Sequence, residues 1–407
     1  MVSRVCQLPI LLLATSMLCL SVAGAQDVNS PFFDSAIQNL LVQVSDTALA
    51  GSIRGLQSFG TRHWGNPNRK SVAEWIQARF VEFGVSEVVL DSFQYSGTWQ
   101  WNVVATIPGV GQPAKEIVFG AHTDATTSIA GVAPGADDNA SGVAGILEIA
   151  RVLRQTAYQP KATFRFIGFA AEEAGLRGST DYAGRAHSRA QPIKAMINFD
   201  MIGYRPRGTT QHNFNVVMYD PWPDLATLDS LMAVTYTSLT PGVTTANRTK
   251  SDSYPFSQRG IPSVFLFDGG TSVAYHTQHD IVDSLDLMYA AEIVRTGLAT
   301  ALSLDAENAA SADAGETELP AEFALHQNYP NPFNPSTTIV FSVARSTPVT
   351  VKVYDLVGRE VATLAQGTYV PGMYALRWDA GGAAAGSYFC RMGVEGRVFT
   401  RQMILVR

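Results

Sequence analysis

The chain has 407 residues, a formal net charge of −6, 46% hydrophobic and 16% charged residues. That length accommodates two or three domains, and the composition is that of globular protein. Basic residues are not clustered, which argues against nucleic-acid binding and against a polybasic membrane patch. Met1 to Ala25 reads as a secretory signal, with Arg4 as the positive start. The apolar run Leu8 to Leu20 is short for a membrane span, and Ala23-Gly24-Ala25 forms a small-residue cleavage site. Of three cysteines only Cys390 outlasts such a cleavage. No internal disulfide is then expected, and a metal would have to sit on His, Asp and Glu.

In chain order, Pro31 to Ala50 has helical spacing through Ile37, Leu40, Leu41 and Val44, and Gly60-Thr61-Arg62-His63 breaks the pattern. A second amphipathic helix is predicted from about Lys70 to Phe83, then a strand from Glu87 to Phe93. Apolar strands follow at Glu116 to Gly120, Ala162 to Ala170, Ala195 to Phe199, Val216 to Tyr219 and Val264 to Phe267. Helices are predicted near Val143 to Arg154, Leu225 to Leu239 and Leu285 to Leu304. Near-continuous apolar strands alternating with helices predict an α/β domain over 26–305, a mostly parallel sheet sandwiched by helices. Ala306 to Glu322 is poor in large apolar residues and reads as a flexible linker, 306–324. The remainder, 325–407, has short alternating runs cut by Pro, Gly and Asp turns, which predicts a small all-β sandwich.

Five stretches can carry chemistry. In Gly135-Ala136-Asp137-Asp138-Asn139-Ala140-Ser141-Gly142 two acids sit in a small-residue loop before a helix that Asn139 or Ser141 can cap. His122 stands at a strand end with Asp124 two residues on, the spacing of a metal-binding imidazole and its supporting carboxylate. Glu172 and Glu173 follow another strand; one could ligate while its neighbour takes a proton from water. In Asn198-Phe199-Asp200-Met201-Ile202-Gly203 a single acid, Asp200, lies inside an apolar run, where it is costly to bury unpaired. In Tyr275-His276-Thr277-Gln278-His279-Asp280 one imidazole can ligate, His276 being preferred to His279, with Asp280 in support. Three of these stretches lie just past strand ends, where open α/β sheets bind ligands. Two His and three carboxylates with a spare Glu suit zinc, with manganese or cobalt also compatible. Five ligands exceed one catalytic zinc and fit two ions if one carboxylate bridges.

Taken in order, His122-x-Asp124, Asp137-Asp138-Asn139, Glu172-Glu173, Asp200 and Tyr275-His276-Thr277 resemble the co-catalytic di-zinc aminopeptidase family, of the secreted leucyl aminopeptidase and aminopeptidase Y type. The resemblance spans roughly Leu56 to Leu304 and implies a zinc-exopeptidase-like fold. It implies that Asp137 bridges two Zn²⁺, that His122 and Asp200 complete one site, and that Glu173 and His276 complete the other. Glu172 would be the general acid/base acting on a metal-bridging hydroxide, and Asp124 the support for His122. The implied activity is removal of N-terminal residues from peptides with a free amino terminus, by a monomer. One departure stands out: Ser251-Asp252-Ser253-Tyr254-Pro255-Phe256 has Ser253 where the family often has His. A single-zinc glutaminyl cyclase and an inactive surface-binding homologue are the competing readings. His122 counts against the first and Glu172 against the second.

The tail also has a look-alike. Asn328-Tyr329-Pro330-Asn331-Pro332-Phe333-Asn334-Pro335 and Gly386-Ser387-Tyr388-Phe389 resemble the sorting domain of the Por (type IX) secretion system, an immunoglobulin-like sandwich. That resemblance implies handling by secretion machinery, export across an outer membrane, and a secreted or surface location.

Overall fold

The computed structural model describes residues 34–111, 115–127, 132–206, 212–268, 272–310, 322–328, 331–369 and 372–406. The expected signal at 1–25 and most of the expected linker lie outside them. Helices α1 (Ser35–Leu41), α2 (Asp46–Gln57) and α3 (Arg69–Glu82) lead into strands β1 (Glu87–Tyr95), β2 (Thr98–Ile107) and β3 (Glu116–His122). Then come α4 (Gly142–Gln155), β4 (Thr163–Phe169), α5 (Arg177–Ser188), β5 (Ile193–Phe199), β6 (Asn213–Val217), α6 (Pro223–Tyr236) and β7 (Thr240–Thr244). The short α7 (Ser253–Ser257), β8 (Ser263–Asp268) and the long α8 (Leu287–Ala310) complete the first domain.

The single helix expected over 31–50 is two. Asp34 caps α1 by accepting Ala36 N–H, and Ser45 caps α2 by accepting Ala48 N–H. A fresh cap restarts the helix in a new direction, which apolar spacing alone does not register. Residues 306–310, expected to open the linker, are the last turn of α8.

The first domain is built on an eight-stranded mixed sheet in the order β1-β2-β4-β3-β5-β8-β6-β7. Its centre, β4-β3-β5-β8, is parallel throughout. The β1-β2 hairpin adds antiparallel on one side, and β6 pairs antiparallel with β8 on the other. Both faces are buried, and alternate residues show it. Ile117 and Phe119 join the core under α2, α4 and α8, while Val118 between them joins the core with Tyr182 of α5 and Phe256 of α7. Across three neighbouring strands the rings of Phe166, Phe119 and Phe199 stack, at 5.2 Å and 6.4 Å between centroids. Such pairs add about 0.5–1.5 kcal/mol each beyond burial. They also fix the relative height of β4, β3 and β5, whose carboxyl ends carry His122, Glu172 and Asp200.

The second domain has a separate core. Its strands are β9 (Ala324–Leu325), β10 (Ser336–Val343), β11 (Thr347–Tyr354), β12 (Glu360–Tyr369), β13 (Gly372–Asp379), β14 (Gly386–Val394) and β15 (Arg397–Leu405). They form one sheet ordered β13-β10-β9 and another ordered β12-β11-β14-β15, with every pairing antiparallel. Cys390 is a free thiol buried between them, and burial pushes it up to about 12, so it stays protonated and inert. Among the described residues no helix is long and apolar enough to cross a membrane.

One buried acid lies far from the strand ends. Asp229 of α6 is fully buried, accepts a hydrogen bond from Thr300 Oγ1 at 2.6 Å, and is pushed by burial up to about 7, against the effect of that bond. Its folded pKa exceeds its unfolded one, so the native state holds the proton more tightly. Stability from this group is therefore greatest in acid and declines as pH rises through the window from about 4 to about 7. In zinc-saturated protein, Asp229→Asn should shrink the loss of unfolding free energy between pH 5 and pH 8 by roughly 1–3 kcal/mol. Urea titrations at the two pH values measure this, and an undiminished loss in the variant contradicts it.

Candidate active site

Because β4, β3, β5 and β8 run parallel, their carboxyl ends share one edge of the sheet, and the loops leaving them converge there. His122 is the last residue of β3. Glu172 and Glu173 follow β4, and Asp200 follows β5. The fourth contribution is the loop between β3 and α4. It makes one wide turn over Ala136–Ser141, with Ala140 N–H donating to Gly135 O five residues back.

The side chains meet as follows. His122 Nε2 stands 3.0 Å from Asp138 Oδ1, 3.3 Å from Asp200 Oδ1 and 4.0 Å from Glu172 Oε2. His276 Nε2 stands 2.9 Å from Asp138 Oδ2 and 3.3 Å from Glu173 Oε1. Asp138 thus puts one oxygen beside each imidazole. Three overlapping sets of three donors result among the described residues, His122 with Asp138 and Asp200, Asp138 with Glu173 and His276, and His122 with Glu172 and Glu173, each with its donor atoms within 4.8 Å of one another. His279, the less favoured alternative, is exposed.

Asp137 does not occupy the place expected of it. Its Oδ1 accepts Gly203 N–H at 2.8 Å, and its neighbour Asp138 takes the position between the imidazoles. The loop explains the exchange. Asp280, expected to brace His276, instead uses its two oxygens to accept the N–H groups of Asp137 and Asp138, at 2.8 and 3.0 Å. Asn139 accepts Gly142 N–H at 2.9 Å and donates to Phe199 O at 2.9 Å, which ties the loop to the end of β5. Asn139 therefore serves the start of α4, whereas Ser141 donates to Asp137 O. Held at both ends, the turn directs Asp137 towards the backbone of 203 and Asp138 into the cluster.

Asp124 also acts differently from expectation. The Nδ1 of His122 is 3.0 Å from the main-chain oxygen of Asp124 and 3.7 Å from its carboxylate. The carboxylate accepts Glu172 N–H at 3.0 Å and Glu173 N–H at 3.2 Å. One residue therefore orients His122 by its carbonyl and both glutamates by its side chain.

Two supporting residues escaped the sequence reading. Arg62, read only as part of a helix break, is buried and donates to Thr123 O at 3.0 Å, Pro134 O at 2.5 Å and Gly135 O at 2.7 Å. It joins the segment after His122 to the segment before Asp138. Gly135 must be glycine there: φ is +52°, and an added Cβ would lie 2.4 Å from both Ala125 Cβ and Asp138 O. Ser251 donates to Asp200 Oδ2 and accepts from Asn198 Nδ2. No local signal marks it beyond its place in Ser251-Asp252-Ser253. Ser253 itself lies 2.8 Å from Tyr219 Oη.

Four carboxylates share this buried space with two imidazoles, and the electrostatics register the crowding. Burial opposes protonation of His122, yet Asp200, Glu172, Asp124 and Asp138 together raise it well above its ordinary value. Glu172 is raised well above the usual carboxylate range by burial, then by Asp252 and Asp200, against the lowering effect of His122. Burial would also raise Asp138, but hydrogen bonds to both imidazoles carry it well below the usual range. Asp137 is pushed up to about 7 by burial and by Asp280. Carboxylates held together out of water need cations, and an N/O donor set in two triads with one shared carboxylate is a fit for zinc.

The fold and this cluster define a metal-dependent hydrolase of the α/β type. Residues 102–301 match peptidase family M28, and residues 327–406 match the secretion system C-terminal sorting domain. Leucine aminopeptidase 1 of Ajellomyces capsulatus is 31% identical over 61% of this chain and 69% of its own length. A probable zinc metalloprotease of Pyrenophora teres is 36% identical over 45% of each chain, so the match spans less than half of that relative. The LapA aminopeptidase of Legionella pneumophila superposes with a TM-score of 0.62 at 25% identity, covering 69% of this chain and 77% of that one. A glutaminyl cyclase of Porphyromonas gingivalis shares the fold, with a TM-score of 0.54 at 21% identity over 64% of this chain and 99% of that one. The chain belongs to peptidase family M28, and with it to the metallo-aminopeptidase class of hydrolases. Its tail marks it for export.

The two aspartates are separable by experiment. Asp138→Asn should leave less than about half the wild-type metal after dialysis against a weak chelator, since both triads share that carboxylate. Asp137→Asn should keep a metal content close to wild type. Elemental analysis per folded chain reads the difference, and the reverse order would return the bridging position to Asp137.

Proposed function

We propose that the protein is an exported aminopeptidase that hydrolyses the first peptide bond of substrates with a free amino terminus. His122, Asp138 and Asp200 would hold one zinc ion, and Asp138, Glu173 and His276 a second, with manganese or cobalt able to substitute. The observation that carries this reading is the placement of Asp138 between two imidazoles, 3.0 and 2.9 Å away. Bound zinc supplies Lewis acidity, which polarises the scissile carbonyl and lowers the pKa of water.

The chain's own residues do the rest. Glu172 has a carboxylate at the edge of the cluster and lines the adjoining cavity, where it can take a proton from the attacking water and deliver it to the leaving amine. Asp124 fixes the backbone of Glu172 and Glu173 together, so that one side chain serves proton transfer while the other ligates. Ser251 holds the outer oxygen of Asp200, and the Asp124 carbonyl sets the tautomer of His122. Met201, Phe265 and Phe267 line the same cavity, of about 560 Å³, and suit an apolar terminal side chain.

In this reading 1–25 is a removable leader, 26–305 the peptidase, 306–324 the connecting segment and 325–407 the sorting domain, which engages the secretion machinery. The product is a secreted or surface-held enzyme. A single-zinc glutaminyl cyclase has support from the shared fold, but it leaves the donor set around His122 without a purpose.

Chelation should abolish hydrolysis of leucyl amide substrates, and added zinc should restore it. Glu172→Gln should keep its metal and lose about 10²–10⁴-fold in kcat. Mass spectrometry of a glutaminyl peptide after incubation decides between the readings: a freed N-terminal residue is expected, and pyroglutamate would favour the cyclase.

A further inference from the structure

We infer that Lys250 makes one wall of the active-site cavity a subsite for a substrate carboxylate, a proposal that rests on the aminopeptidase reading. The carboxylate comes either from the side chain of an acidic terminal residue or from the C-terminus of a dipeptide.

Lys250 lines the same cavity as Glu172, Asp200, Met201 and Phe267. Its position is set by its neighbours. The turn from Asn247, at φ +62°, is closed by Lys250 N–H donating to Asn247 O at 2.8 Å. The next residue, Ser251, is buried and bonded to Asp200. The lysine backbone is therefore anchored one peptide bond from a ligand support, while its flexible stem and head remain exposed. Arg248, two residues earlier, already pairs with Asp220 at 2.6 Å. Lys250 makes no ion pair with any acid among the described residues.

Charge balance gives that ammonium a use. The cavity carboxylates Asp138, Glu172, Glu173 and Asp200 would face the cations of the proposed metal centre and the imidazole of His122, away from any pairing with Lys250. Among the described residues that line the space a substrate must enter, Lys250 is the one lysine or arginine. A substrate carboxylate there gains an ion pair next to the apolar wall of Met201 and Phe267.

Calorimetry on the zinc-loaded full chain tests this with two pairs of non-cleavable reduced-bond analogues. One pair is leucylglycine against its C-terminal amide. The other is glutamyl-glycinamide against glutaminyl-glycinamide. In wild-type protein the carboxylate member of one pair should bind about 3–10-fold more tightly than its neutral partner. The pair that shows the preference identifies the source of the carboxylate. Lys250→Met should bring the ratio close to one, and Lys250→Arg should keep it. Equal binding within both pairs, a preference that survives Lys250→Met, or no binding by any of the four overturns the subsite. Because these analogues are not turned over, failure of peptide hydrolysis counts against the aminopeptidase reading and is seen separately.

Discussion

The carboxylate of Asp138 is the element on which the other parts of the site depend. Its two oxygens reach two imidazoles that arrive from segments 154 residues apart in sequence, His122 and His276. No local preference produces that meeting. It requires the parallel order β4-β3-β5-β8 to bring strand ends to one edge, and it requires a loop rigid enough to keep an acid among other acids. The supports answer the second requirement. Asp280 holds two amides of the loop, Arg62 holds two of its carbonyls, and Asn139 bonds it to β5. Each of these is a buried polar group with its hydrogen bonds directed at backbone, which rigidifies and leaves the ligand oxygens themselves facing the cluster.

Much of this arrangement is legible in the amino-acid order, and the exceptions have physical causes. Apolar strands ending in His122, Glu172 and Asp200 announce themselves because a parallel sheet buried on both faces must be apolar throughout. Strand β2 is concealed because its first half alternates: Trp99 and Trp101 are more exposed, while Gln100 and Asn102, one residue after each, are buried. Asn102 spends its amide on Ala170 N–H and Gly178 O, so a polar residue does core work there. Helix α5 is concealed by its composition, with Arg, Gly, Ser and Asp on most of its length. The confusion of Asp137 with Asp138 is of another kind. Two adjacent acids in a wide turn face opposite ways, and which one faces inward depends on amide donors and acceptors supplied by Asp280 and Gly203, far off in sequence. Composition has no access to that choice.

The same reasoning accounts for the double use of Asp124. An acid two residues after a ligating histidine suggests a carboxylate–imidazole pair. In the folded chain the nearer partner of His122 is the Asp124 carbonyl, because the backbone after β3 turns back beneath the ring. The carboxylate is then free to accept the amides of Glu172 and Glu173. That choice couples the backbone of Glu172 and Glu173 on one side of the cluster to the orientation of the imidazole on the other, through a single residue.

The two donor sets differ in their relation to solvent. His122 is 1% exposed and Asp200 10%, whereas His276 is 29% exposed and sits under the ring of Tyr275, at 3.8 Å between centroids. The His122 set is thus walled by the sheet, and the His276 set stands on a loop at the mouth. A cation in the first would be enclosed by the core and by Ser251 behind Asp200. A cation in the second would be held by one shared carboxylate, one glutamate and an imidazole on a surface loop. In the two-ion reading proposed above, the buried set would therefore hold its cation more tightly than the set at the mouth.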